Sequence, residues 1–312
     1  MTYLLPGRLA LLKSAVVTLP ATGSRLLDAA FVRELEALRR RLEIRARSGQ
    51  GGEHLARRKG SSAEFQEHRA YAPGDDMRRI DWAAYARTGD PVLKLFRAEE
   101  DVIARLLCDA SASLGFGEPS KIEIARKMAA AVGYMTLARS ERAQLFVGGE
   151  GIAAEGTPCR GRGGLPQLLR SLDALTAKGG TNLARAVDGI VQRSARPGML
   201  AVISDFFDPG AVTGALGRAV SAGHDVALVH VVAPEEIQPS FEGDFELEDA
   251  ETGALVEVTM DASAIEAYTL RFAGLCEELR GWAKKFGATY VRVRTDEPLE
   301  EAVRRFVARS VD

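Results

Sequence analysis

The chain has 312 residues, 46% of them apolar and 27% charged, with 41 lysines and arginines against 43 aspartates and glutamates. That length holds about two average domains or one large α/β domain with additions, and the composition excludes wholesale disorder and a collagen-like fibre. A net charge of −2 exerts no overall pull towards nucleic acid or an anionic membrane. Three widely spaced cysteines, Cys108, Cys159 and Cys276, exclude a disulfide framework and suit a reducing, cytoplasmic compartment.

In chain order, Leu4 to Pro20 is apolar but interrupted by Pro6, Gly7, Arg8 and Lys13, too broken for a bilayer span or a signal-peptide core. Leu27, Phe31, Leu35, Leu38 and Leu42 recur at helical spacing, which predicts a helix over 26–47 with Arg39, Arg40 and Arg41 on its solvated side. Gly49 to Gly52 break it, and 57–90 reads as a loop-rich segment dense in charged and aromatic residues.

From Pro91 onward, short apolar runs at 102–108, 143–147, 199–204, 225–232 and 288–293 alternate with helical patterns at 121–139, 165–176, 183–195, 211–222 and 264–286. Continuously apolar strands alternating with helices predict an α/β, Rossmann-like parallel sheet covered on both faces. Val92–Phe96 lies a short connection before the first of these strands and is expected to form a hairpin with it, as an antiparallel edge strand. Pro234 to Glu251 carries eight acidic residues and no lysine or arginine. It reads as a solvated hairpin with strands at 245–250 and 254–258 turning at Thr252-Gly253, an insertion over about 234–260. The expected division is an N-terminal accessory segment, 1–98, and an α/β domain, 99–312.

The sharpest chemical signal is Asp109-Ala-Ser111-Ala-Ser113, directly after the strand at 102–108. Parallel sheets bind ligands beyond the carboxyl ends of their strands, and extended chain turns alternate residues the same way. Gly179-Gly180-Thr181-Asn182, ahead of a helix, and Ser204-Asp205, at another strand end, supply further oxygens. A divalent cation can take the hydroxyls of Ser111, Ser113 and Thr181, with Asp109 and Asp205 supplying charge directly or through water. Such donors select magnesium, manganese or calcium over zinc. With few direct carboxylates the ion stays electrophilic and can accept a carboxylate from a protein partner.

Serine, threonine and aspartate also cap helices, so the capping roles need assigning. Ser120-Lys-Ile-Glu123 fits a capping box for the next helix, and Asp208-Pro209 fits a cap plus a proline at the first helical position. These assignments release Ser111, Ser113 and Asp205, whereas Thr181 and Asn182 compete for one cap. An aspartate-nucleophile hydrolase wants a second carboxylate two residues on, where this chain has Ser111. There is no phosphate-cradling Gly-x-x-x-x-Gly-Lys-Ser/Thr loop, no nucleophile elbow, and no zinc spacing among His54, His68, His224 and His230. The reading is a binding module, not an enzyme; a metal-dependent hydrolase at the same cation, or a scaffold with a vacant site, are the alternatives.

Asp109, Ser111, Ser113, Thr181 and Asp205 match residue for residue the metal-ion-dependent adhesion site of von Willebrand factor A-type domains, which the chain resembles from about residue 100 to 312. Gly60-Ser61-Ser62-Ala63-Glu64-Phe65, Arg69-Ala-Tyr71-Ala-Pro73-Gly74-Asp75-Asp76, Arg78-Arg-Ile80-Asp81-Trp82 and Ala86-Arg87 resemble the signature of the bacterial family called domain of unknown function 58. The resemblance continues through Glu251-Thr252-Gly253 and the region Tyr290 to Leu299. It implies an A-type fold, a bound Mg2+ (or Mn2+ or Ca2+), and a MoxR-type AAA+ ATPase as partner in chaperone-like remodelling or complex maturation. It also places the chain with the short soluble members and not those carrying membrane helices. Within the signature, Pro73-Gly74 favours a turn and Asp75 or Asp76 a cap, while Trp82 is expected to be a buried anchor. Arg69, Arg78, Asp75, Asp76 and Asp81 either pair into a network bracing the segment or, with Tyr71 and Trp82, form a docking surface.

Overall fold

The computed structural model describes residues 9–11, 26, 29–48, 64–73, 75–77, 80–97, 103–207, 209–239, 243–249 and 254–308. They fall into two compact units, one of residues 1–42 with 102–312 and the other of residues 43–101. Gly60–Ala63, Gly74, Arg78, Asp208 and the turn Glu251–Gly253, all given roles in the sequence reading, lie outside the described residues.

The chain begins with β1 (Leu9–Leu11) and α1 (Ala29–Ser48), and the smaller unit holds β2 (Glu64–Ala70), α2 (Trp82–Thr88) and β3 (Val92–Arg97). β2 and β3 pair antiparallel as a sheet of their own, with Arg69 opposite Leu93 and Ala70 opposite Val92. The Asp81 carboxylate accepts bonds from Ala83 N and Ala84 N, both at 3.1 Å, and so starts α2. Gly89, at φ 76°, ends it in the left-handed conformation that glycine adopts without strain.

Two expectations are corrected here. The segment 57–90 contains a strand and a helix; Glu-Phe-Gln-Glu-His-Arg-Ala lacks the apolar alternation that flags a strand. And Val92–Phe96 is not an edge strand of the main sheet. Its expected partner, β4 (Ile103–Asp109), has both edges taken by β5 (Arg142–Gly148) and β8 (Met199–Ser204), so β3 pairs with β2 instead.

In the larger unit α3 (Lys121–Ala138) joins β4 to β5, followed by the short strands β6 (Ile152–Glu155) and β7 (Cys159–Arg160) and then α4 (Leu165–Asp173) and α5 (Leu183–Arg193). After β8 come α6 (Pro209–Ser221), β9 (Asp225–Val232), the single turn α7 (Pro234–Ile237), the hairpin β10 (Gly243–Asp249) and β11 (Leu255–Met260), α8 (Ala262–Phe286), β12 (Thr289–Arg294) and α9 (Leu299–Val307). The main sheet runs β12-β9-β8-β4-β5-β6, with β7 also on β5. Its first five strands are parallel, and the antiparallel edge is supplied by β6 and β7. The acidic insertion forms its hairpin as expected, and β1 adds a third antiparallel strand to it; its start is corrected, since Pro234–Ile237 is a helical turn and Glu236 is buried and not solvated.

Both sheet faces are covered, as the continuous apolar strands require. Leu106 and Cys108 of β4 join one cluster with Met128 of α3, Leu168 of α4 and Val303 of α9. Leu107, pointing the other way, joins Val187 of α5, Leu216 of α6 and Leu279 of α8. Each such buried leucine or valine contributes about 1.5–3 kcal/mol. Leu26, together with Phe31, Leu35 and Leu38 of α1, belongs to the first cluster. Leu26 N donates to Asp173 Oδ1 at 2.9 Å, and Arg41 pairs with Glu300. The first helix, placed by sequence in the 1–98 segment, therefore packs within the larger unit.

Candidate functional site

β4 connects through α3 to β5 on one side of it, while β8 lies on its other side. The connections therefore diverge between β4 and β8, which is where open α/β sheets leave a crevice at their carboxyl ends. Asp109 is the last residue of β4, and Asp205 directly follows the last residue of β8. Both are buried, as are Ser111 and Ser113.

Asp109 is held on both oxygens. Ser111 N donates to Oδ1 at 3.0 Å and the Ser204 hydroxyl donates to Oδ2 at 2.7 Å, while Ser204 Oγ accepts from Phe206 N at 3.0 Å. Phe206 sits at φ 48°, an uncommon conformation for a side chain of its size, as the backbone turns away after Asp205. Ser111 precedes a single tight turn, Ala112–Gly115, without capping it through its side chain. Its hydroxyl lies 3.0 Å from that of Ser113. Sequence spacing by two thus brings the two hydroxyls together.

Thr181 arrives on a loop stitched to this one. Lys178 N donates to Ala110 O at 2.8 Å, Ala112 N to Gly179 O at 2.9 Å, and Asn182 N to Gly149 O at 2.6 Å. Gly179, at φ 67°, lets the backbone make that approach. The contest for the α5 cap goes to Asn182, whose side-chain oxygen accepts from Arg185 N at 3.0 Å. Thr181 Oγ1 is closed off from solvent and has no hydrogen-bond partner. An orphaned buried hydroxyl costs about 1–3 kcal/mol, so its persistence asks for a ligand.

Sequence reading missed three members of the cluster. Ser204 was in view only as the end of a strand. Lys121, the first residue of α3, is fully buried and donates to Asp205 Oδ2 at 2.7 Å and to Glu236 Oε1 at 2.5 Å. Glu236 Oε2 accepts in turn from Ala233 N at 2.8 Å. Adjacent to Ser120 at a helix start, Lys121 carries no local mark of burial, and only Ser204, beside Asp205, offered a signal. The Ser120 side chain itself makes no capping bond, so the expected capping box is corrected to a backbone N-cap alone.

Burial, and then the charge of Asp205, hold Asp109 above the usual carboxylate value. Burial also raises Glu236. Burial works against a charged Lys121, but Asp205 and Glu236 outweigh it and hold the ammonium above its ordinary value. His230, buried beside this cluster, exchanges a hydrogen bond with the Tyr290 hydroxyl at 2.9 Å, and burial lowers it to about 3. Two carboxylates, Asp205 and Glu236, flank the Lys121 ammonium, and Asp109 adds a further carboxylate beside Asp205. Among the described residues no group of three or more His, Cys, Asp and Glu side chains is placed to hold a metal. The donor set at Asp109 is instead hydroxyl-rich, with two carboxylates.

In the smaller unit, Arg69 pairs with Asp75 at 2.7 Å, and Asp75 also accepts from Ala72 N at 2.9 Å. Tyr71 is half-buried and Asp76 exposed. Trp82 is not a buried anchor: 61% of it is exposed, and its ring stands edge-on to that of Tyr85, itself 44% exposed. Trp82 occupies the first turn of a seven-residue helix whose buried residue is Ala84.

A family described as a protein of unknown function, DUF58, matches residues 67–273. The uncharacterized proteins Rv1480 of Mycobacterium tuberculosis and Mb1516 of Mycobacterium bovis are each 32% identical over 263 residues, covering 82% of this chain and 82% of theirs. Among solved structures, the conserved hypothetical protein BatB from Bacteroides thetaiotaomicron superposes with a TM-score of 0.47 at 18% identity, covering 66% of this chain and 97% of that one. A von Willebrand factor type A protein from Catenulispora acidiphila gives a TM-score of 0.42 at 15% identity, covering 70% and 44%. Among the described residues no helix is long and apolar enough to cross a membrane.

Proposed function

The chain belongs to the DUF58 family, and from that premise we propose that its larger unit is a cation-dependent protein-binding module. Asp109, Ser111, Ser113, Thr181 and Asp205 hold one divalent cation, Mg2+ first, with Mn2+ or Ca2+ able to replace it. The observation that carries this reading is the buried, partnerless hydroxyl of Thr181, on a loop tied to the Asp109 loop while its neighbour does the capping. The donor chemistry supports it too: Asp109 and Asp205 repel each other out of water, a divalent ion relieves that repulsion, and hydroxyl and carboxylate oxygens suit a hard ion.

Bound there, the ion supplies a Lewis-acidic anchor for one further oxygen, and a carboxylate from a partner protein meets that need. Asp109 is fixed by Ser111 N and Ser204 Oγ, so it presents charge without having to reorganise. The resemblance implies a MoxR-type AAA+ ATPase as the partner and a cytoplasmic adaptor role in remodelling or complex maturation. The exposed Met77, Trp82 and Tyr85 of the smaller unit, within the signature that includes Arg69, Asp75, Asp76 and Asp81, offer a second contact surface. The test is Mn2+ binding by calorimetry and electron paramagnetic resonance on the wild type and Asp109→Ala, then capture of the ATPase in Mg2+ and in EDTA. The reading expects one Mn2+ in the wild type, none in the variant, and EDTA-sensitive capture. Equal capture under both conditions, or magnesium-dependent turnover of phosphoesters lost in Asp109→Ala, overturns it.

A further inference from the structure

Lys121 stands where a cation is disfavoured twice, at the positive end of a helix dipole and out of water. Buried ion pairs are commonly replaceable by apolar side chains of similar volume at no loss of stability, so bracing the fold does not by itself account for an ammonium here. Its partners are unlike each other. Asp205 belongs to the cation set at the end of β8, whereas Glu236 lies beyond the end of β9 and is fixed by Ala233 N. The ring of Phe207 lies with its centroid 4.7 Å from the ammonium and further confines it. The charge is thus shared between a carboxylate of the site and one outside it.

We propose that Lys121 is the residue that sets the cation affinity of this site: a built-in counter-ion that competes with the divalent ion for Asp205, with Glu236 as the anchor limiting that competition. The proposal rests on the cation reading given above. It makes the ion loosely held and dependent on an outside carboxylate. It also predicts effects of opposite sign. Removing the ammonium tightens cation binding, while removing the charge of Glu236 turns the ammonium wholly onto Asp205 and weakens it. Damage to the fold weakens both.

The experiment is Mn2+ titration, by calorimetry and electron paramagnetic resonance, of the full chain as wild type, Lys121→Met, Lys121→Arg and Glu236→Gln. The expected result is about tenfold or greater tightening in Lys121→Met, about fivefold or greater weakening in Glu236→Gln, and little change in Lys121→Arg, which keeps the charge. A Lys121→Met protein that folds only when Mn2+ is present also supports the proposal. If that variant is unfolded with and without metal, Glu236→Gln decides, read on its folded fraction by circular dichroism: weaker binding by the folded protein supports the proposal and an unchanged affinity overturns it. A folded Lys121→Met that binds Mn2+ no more tightly than a binding-competent wild type overturns the proposal and leaves the cation reading standing. Absence of Mn2+ binding in both wild type and Lys121→Met overturns both.

Discussion

Thr181→Val keeps a branched side chain of nearly the same shape and deletes a buried hydroxyl that lacks a partner. Without cation, the wild type bears the cost of an unsatisfied buried polar group, about 1–3 kcal/mol. The variant is therefore expected to be more stable by about 1 kcal/mol, or about 2 °C in Tm for a chain of this size. With cation the order reverses. At a free concentration a hundred times Kd, binding adds about 2.7 kcal/mol to the wild type, and a variant with tenfold weaker binding gains only about 1.4 kcal/mol. Differential scanning calorimetry in EDTA and in Mg2+ reads both quantities, with Thr181→Ser, which keeps the hydroxyl, as the control. A Thr181→Val protein that loses stability in EDTA, or gains as much as the wild type from Mg2+, refutes the reasoning, since the hydroxyl would then have a structural partner or no ligand.

Asp109→Asn keeps the shape of the carboxylate and removes its repulsion with Asp205; its oxygen still accepts from Ser111 N, while its NH2 donates to Ser204 Oγ where the carboxylate accepted. Its Tm in EDTA is expected to equal or exceed that of the wild type, with no further rise on adding Mg2+. His230 is lowered by burial from 6.5 to about 3, so on acidification the unfolded chain takes up this proton first. Stability is therefore lost as pH falls from 6.5 towards 3, at up to about 1.4 kcal/mol per pH unit from this group. Urea denaturation from pH 7 to 4 is expected to show a shallower acid decline in His230→Phe. Trp82→Ala removes a ring that is 61% exposed and is expected to change stability by no more than about 0.5 kcal/mol. A loss several times larger in chemical denaturation shows the ring to be an anchor after all.

Much of the architecture is legible along the chain because the signals are local. The five parallel strands appear as continuous apolar runs, since both of their faces are covered, and the helices between them appear through their spacing. The candidate oxygens were legible for the same reason, as short polar motifs immediately after apolar strands. β2 was not legible, because its polar sequence shows no alternation. The partner of β3 was not legible either, because pairing depends on which sheet edges are still open, and that is settled by strand order. The exposure of Trp82 is not legible in the sequence, because ring size says how much area burial is worth but not whether a core lies beneath the ring.

The sequence by itself determined which side chains are available at the strand ends, since each follows its own strand within a few residues. Only the tertiary structure decided which of them share one charge environment. Lys121 meets Asp205 across 84 residues and Glu236 across 115, and nothing in the neighbourhood of Lys121 or Glu236 marks it as a partner of Asp205. Electrostatic partnership depends on distance in space and on exclusion of water. Both are produced when parallel strands from distant parts of the chain align their ends.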